Sequence, residues 1–147
     1  MTGTITHFED LLNTVPQRLV DLSDDAVAHK PAPNRWSKKE ILGHLIDSAA
    51  NNHQRFVRAQ GTPRLELPTY EQEFWVATQS YATEPWSDLV NLWLLLNRHL
   101  LHVLKAMPSA ALSHECVIGG RPAVTLEALA ADYLRHVDSH LAQLLPR

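Results

Sequence analysis

Three histidines carry the chemical information in this chain: His44, and the pair His136 and His140. Each stands among apolar neighbours at helical spacing. Histidine is seldom fully buried, and neutral imidazole is the commonest protein ligand for a metal. His136 and His140 are four apart, so on a helix they stand one turn above each other on one face. That spacing lets two imidazoles meet one cation, although H-x-x-x-H alone is equally the pattern of two ordinary core or surface histidines. His44 supplies the third group. It lies seven residues past Ser37, roughly 10 Å into its helix. His136 and His140 lie nine and five residues before Leu145, roughly 8–14 Å from the end of theirs. If the two helices are antiparallel neighbours, the three imidazoles stand at one height. Three ligands leave one or two positions open for water or substrate, as in catalytic sites. Imidazole suits zinc, nickel, copper and iron alike, so the spacing does not name the metal.

The other candidates are weaker. His99 and His102 are three apart and form a rival pair, whose row with Leu95 and Ala106 could also face inward. His53 belongs to a wetter face beside Gln54 and Arg58, and His7, His29 and His114 read as solvated. Asp47, three after His44, and Asp132, four before His136, could orient the imidazoles. Each is equally a solvated helix charge, and Asp132 has Arg135 within reach. Cys116 lies near His114 without a third catalytic group. Tyr70 and Trp75 could line a cleft at the open metal position, while aromatic residues such as Trp86 and Trp93 more often build core or a dimer face. No G-x-S-x-G, Walker or G-x-G-x-x-G pattern occurs, and no Glu-x-x-His pair of the di-iron type leads into His136 or His140.

Four helices must position these groups. The first runs roughly Thr6 to Leu22, with Phe8, Leu11, Leu12, Val15 and Leu19 at three- and four-residue steps. Pro16 should kink or restart it. Asp24 to Arg35, with Pro31 and Pro33, reads as a loop. The second helix has a capping box, Ser37 with Glu40, and Trp36 before it could staple against Ile41. It continues to about Gln60, where Gly61 and Pro63 end it. Gly61 to Pro68 reads as a loop, and a short helix fits around Tyr70 to Gln79. The third long helix runs about Ser87 to Met107. Ser109 to Val124 is irregular or a hairpin, with Cys116-Val117-Ile118 extended. The last helix starts at a Thr125 cap and ends near Leu145. Four amphipathic helices with almost no strand signal predict an all-α four-helix bundle, one domain over residues 1–147.

Composition narrows the function. With 147 residues the chain can bury one sizeable core, and a net charge of −3 argues against a polyanion-binding surface. The lone Cys116 excludes an internal disulfide and any cysteine-rich zinc site. The most apolar stretch, Leu89 to Met107, is interrupted by Asn91, Asn97, Arg98, His99, His102 and Lys105, too polar for an ordinary membrane span. Met1 to Asp10 has no basic-then-apolar leader pattern. The expectation is a cytoplasmic protein that contacts neither membrane nor nucleic acid.

The run Trp36-Ser37-Lys38-Lys39-Glu40-Ile41-Leu42-Gly43-His44-Leu45 resembles the W-S-x-x-E-x-x-x-H-L signature of the DinB-like superfamily. Arg135-His136-Val137-Asp138-Ser139-His140 fits the terminal H-x-x-x-H of that family. The resemblance implies a four-helix bundle of up-down-down-up connectivity. It also implies a divalent metal, commonly nickel or zinc, on three histidines, which carry over to His44, His136 and His140. Members often form homodimers. Some are thiol-dependent S-transferases using bacillithiol, mycothiol or glutathione-like thiols, one mycothiol-dependent branch isomerises maleylpyruvate, and many have no known activity. The expectation is therefore a metal-dependent enzyme, a thiol S-transferase acting on small electrophiles. In such an enzyme Arg55, Arg58 or Arg98 could hold the carboxylates of a low-molecular-weight thiol. The alternatives are a metal-dependent hydrolase, a non-catalytic metal-stabilised module, and a plain helical interaction protein with incidental histidines.

Overall fold

The computed structural model describes residues 1–145. Four long helices form the bundle: α1 (Thr2–Val20), α3 (Lys38–Gln60), α5 (Trp86–Ala106) and α6 (Leu126–Leu144). Between them lie the short helices α2 (Asp24–Ala28) and α4 (Gln72–Gln79) and the strands β1 (Arg64–Leu67), β2 (Glu115–Ile118) and β3 (Val124–Thr125). Among the described residues no helix is long and apolar enough to cross a membrane.

Pairwise contacts fix the direction of each long helix. The Met1 ammonium pairs with Glu127, and His7 meets Asp138 at 2.8 Å, so α1 and α6 run parallel. Lys105 pairs with Glu9, and Trp86 Nε1 donates to Leu19 O at 2.8 Å, so α5 runs against α1. Lys39 Nζ donates to Glu84 O at 2.7 Å, and the His53 and His99 rings lie 5.2 Å apart, so α3 and α5 are parallel. Lys38 donates to Leu144 O across the α3–α6 contact, which is antiparallel. The order is up-down-down-up.

Parallel α3 and α5 need a return connection along the bundle, and β1, α4 and a 3-10 turn at Tyr81–Thr83 supply it. Both helices leave at the same end in the same direction. The strands that follow them therefore pair in parallel, Arg64 opposite Glu115 and Leu67 opposite Ile118. β3 closes the small sheet antiparallel to β2, and between them Gly119 and Gly120 take φ of +61° and +69°, where a Cβ is strained.

The apolar rows pack as their periodicity predicts. Phe8, Leu19, Leu42, Leu45, Phe56, Leu126 and Val137 are all fully buried. Ser37 accepts from Glu40 N while Glu40 accepts from Ser37 N at 2.7 Å, completing the capping box. Thr125 caps α6 with its side chain alone, accepting from Ala128 N at 3.1 Å.

Four local expectations need correction. α1 runs unbroken through Pro16, held by buried Leu12, Val15 and Leu19 on either side. The segment read as a loop after Asp24 begins with α2, capped by Ser23 and carrying Asp24 and Asp25 in its first turn, where acidic groups favour the helix dipole. The Gly61–Pro68 loop contains β1. The row assigned to His99 and His102 points outward, with Leu95 63% exposed.

Gly43 is where α3 meets the crossover. A Cβ there would sit 2.1 Å from the Tyr81 ring. Alanine favours a helix over glycine by about 1 kcal/mol, yet Gly43→Ala should destabilise by about 2 kcal/mol through overpacking. Urea denaturation decides the sign, and a raised midpoint would refute the close packing. Ser37→Ala should cost about 1 kcal/mol through the lost cap, measured the same way.

Candidate metal centre

His44 leaves the first turns of α3, and His136 and His140 leave the last turns of α6. Because these helices are antiparallel neighbours, the three rings converge: one ligating atom from each lies within 4.8 Å of the others. His44 Nε2 and His136 Nε2 are 3.0 Å apart. His44 is 1% exposed, while His136 and His140 are half-buried. Trp36, just before the α3 cap, lays its ring 5.0 Å from that of His44.

Burial sets the protonation. Desolvation, helped by repulsion from His136 and His140, lowers the His44 pKa to about 3. Desolvation and the His140 charge bring His136 down to about 4, against the opposing pull of Asp132. Burial lowers His140 as well. All three are therefore neutral at pH 7, with lone pairs aimed at one point. His44 Nδ1 and His140 Nδ1 are buried without any hydrogen-bond partner, a costly arrangement for three rings that served only as core. A divalent cation bound at about 2.0–2.1 Å from one nitrogen of each ring would use the lone pairs that converge, His44 and His136 meeting through Nε2, so the donor set fits a metal.

Ser48 was not expected. Its Oγ lies 3.3 Å from His136 Nδ1, which leaves Nε2 for the shared point. Sequence spacing carried the signal, because Ser48 is four past His44 on the same helix face. Asp47 does not orient His44. One of its oxygens accepts from Tyr81 OH at 2.6 Å and from Gln79 Nε2 at 2.7 Å, and desolvation raises its pKa. It ties α3 to the crossover. Asp132 pairs with Arg135 at 2.8 Å.

His99 and His102 are exposed on α5 and pack toward His53. Neither approaches the three converging rings. His114, expected to be solvated, is half-buried with Nδ1 at 2.7 Å from Ala59 O. His7 is exposed in α1 against Asp138.

A cavity of about 370 Å³ opens beside His136. Ser48, Asn52 and Arg55 of α3 and Tyr133 of α6 line it, together with Tyr70, Cys116, Arg121 and Asp132. Tyr70 lines the cleft as expected, with its phenol pKa raised to about 12 chiefly by burial. Trp75 stands behind it, ring to ring at 5.1 Å. Burial raises the Cys116 thiol, so it is no ready nucleophile. Of the three arginines considered, only Arg55 reaches the cavity; Arg58 and Arg98 are exposed elsewhere.

Comparison with known proteins agrees with this architecture. YfiT from Bacillus subtilis, described as a probable metal-dependent hydrolase with an unusual four-helix bundle topology, superposes with a TM-score of 0.79. The match covers 95% of this chain and 83% of that one at 19% identity, a likeness that speaks for the fold. No curated protein matches the chain. The model of the DinB superfamily matches residues 7–144. With its bundle order, its capped W-S-x-x-E helix and its terminal histidine pair, the chain belongs to the DinB superfamily.

Proposed function

We propose that this protein is a metal-dependent enzyme, a thiol S-transferase acting on small electrophiles. His44, His136 and His140 would hold one divalent metal, zinc or nickel. The observation that carries the reading is the juxtaposition of three neutral, converging imidazoles with an open cavity of about 370 Å³. A purely structural site would be closed by a fourth protein ligand, and among the described residues the group that could hold a metal contains only these three.

The cation would supply Lewis acidity, lowering the pKa of a coordinated thiol or water. The chain's own groups do the rest. Ser48 fixes the His136 ring by its Nδ1, and Trp36 covers the His44 ring on the other side. The cavity holds thiol and electrophile together, so that their encounter is no longer bimolecular. In the reaction the sulfur forms a new bond to carbon, the leaving group departs with its electron pair, and the thiol proton passes to solvent. The second reading is hydrolysis at the same site, favoured by the description of YfiT as a probable metal-dependent hydrolase.

Elemental analysis of untagged protein should find about one metal per chain, lost in His136→Ala and in His44→Ala while helical content by circular dichroism persists. Chelation should lower the melting temperature, and zinc or nickel should restore it. Full metal content in either variant would refute the ligand set. Transfer of a thiol to an electrophile such as 1-chloro-2,4-dinitrobenzene should then follow metal content across a panel of thiols. Release of a p-nitrophenyl ester by water, equally fast without thiol, would select the hydrolase instead.

A further inference from the structure

Three further histidines gather where α3 meets α5. His53 is half-buried on α3, and His99 and His102 are exposed on α5. The His53 and His99 rings stand 5.2 Å apart, centre to centre, at an angle of 50°. That separation is close to the 4.6, 4.8 and 5.0 Å found among His44, His136 and His140. Two imidazoles bound to one ion at about 2.0–2.1 Å from each nitrogen hold their ring centres about 5 Å apart. The His102 ring lies 6.3 Å from that of His99 and is turned only 23° from it, the posture of a stacked neighbour. Elsewhere the polar histidine contacts are taken: His7 meets Asp138, and His114 meets Ala59 O. Among the described residues no carboxylate pairs with His53, His99 or His102.

We propose that His53 and His99 form a second metal site, separate from the three converging histidines, that takes a divalent transition ion and copper(II) above the others. The donor chemistry selects the ion. Asn52, Gln54, Arg98 and Leu100, next to the two histidines in sequence, bring no carboxylate, so the site does not suit magnesium or calcium. Imidazole suits copper, nickel and zinc, and copper(II) leads that series in affinity. The fold prepares the pair. Asn52, Phe56 and Leu100 are buried beside them and fix both backbones, while exposed side chains change rotamer in picoseconds to nanoseconds. Rotation of the rings is then enough to bring one nitrogen of each onto a shared ion, and water fills the remaining positions on the exposed side. The ion would tie α3 to α5, two parallel helices that the chain itself connects only through the long crossover. The site is on a different pair of helices from His136 and His140, so it does not depend on the function proposed for that centre.

The test is calorimetric titration of chelator-stripped, untagged protein with copper(II), with electron paramagnetic resonance on the loaded samples. Wild-type protein should bind a copper equivalent whose spectrum carries hyperfine structure from two imidazole nitrogens. His53→Ala and His99→Ala should each weaken that equivalent at least about tenfold, and His136→Ala should leave it in place. Copper should raise the melting temperature of wild-type protein by more than that of His99→Ala. His99 is exposed, so its alanine variant keeps the fold and decides the matter even if His53→Ala does not. Copper binding of unchanged stoichiometry and affinity in His99→Ala would overturn the site. Loss in His102→Ala with retention in His53→Ala would also overturn it, by placing the ion on α5 alone. The two centres fail separately: a metal-free triad would leave the equivalent that depends on His99, and an empty His53–His99 pair would leave the equivalent that depends on His136.

Discussion

The rest of the structure depends on one packing contact, the antiparallel meeting of α3 and α6 around His44, His136 and His140. Three imidazoles pressed together cannot all carry charge. Desolvation lowers all three from their ordinary range, and repulsion from neighbouring imidazoles adds to it at His44 and His136. Two of their nitrogens are also left without protein partners. Such a cluster is tolerable only if the backbone holds it rigidly, and both helices are fixed close to it. The Ser37–Glu40 box fixes the start of α3, and Lys38 binds the last turn of α6. Leu45, Val137 and Leu141, each next to one of the histidines in sequence, are buried in the core.

That contact also governs connectivity. α3 must oppose α6 to bring position 44 level with positions 136 and 140, and α6 runs parallel to α1. The remaining place beside α3 goes to α5, which runs parallel to it. A parallel neighbour in sequence cannot be reached by a tight turn, hence the long crossover. Gly43 and Asp47, on either side of His44 in the sequence, are committed to that crossover through Tyr81 and Gln79. One short stretch of α3 therefore holds the candidate metal centre on one face and the return connection on the other.

The helices and the histidine triad were legible because each rests on local, periodic signals. The apolar rows of α3 and α6, the Ser37 and Thr125 caps, and the depth of His44 from one helix start against His136 and His140 from another helix end all lie in short windows. The misread parts depend on partners distant in sequence. β1 is only Arg64–Leu67 and pairs with a strand some fifty residues on, so it has no period to read. His99 and His102 share a helix face with Leu95 that resembles a buried row, but the bundle leaves that face uncovered. Asp47 lies at the right spacing to serve His44, yet Tyr81 and Gln79 claim it. Ser48 could have been found by extending the face of His44 by one turn, and Arg55 could have been separated from Arg58 and Arg98 by continuing along it.

The elements hidden from the sequence are the ones that border the cavity beside His136. A four-helix bundle alone would close around three histidines. Here Trp36 covers His44 on one side, but the other side is bounded by Tyr70 and by the turn linking β2 to β3. Those pieces are there because α3 and α5 are parallel: the strands leaving them must pair, and their turn then projects over the open flank of His136. Gly119 and Gly120 in positive φ allow that turn, and Gly119 approaches Thr69 at the cavity mouth too closely for a side chain. One face of α3, read as His44, Ser48, Asn52 and Arg55, grades from imidazole to hydrogen-bonding group to cation, and its last three residues line the cavity.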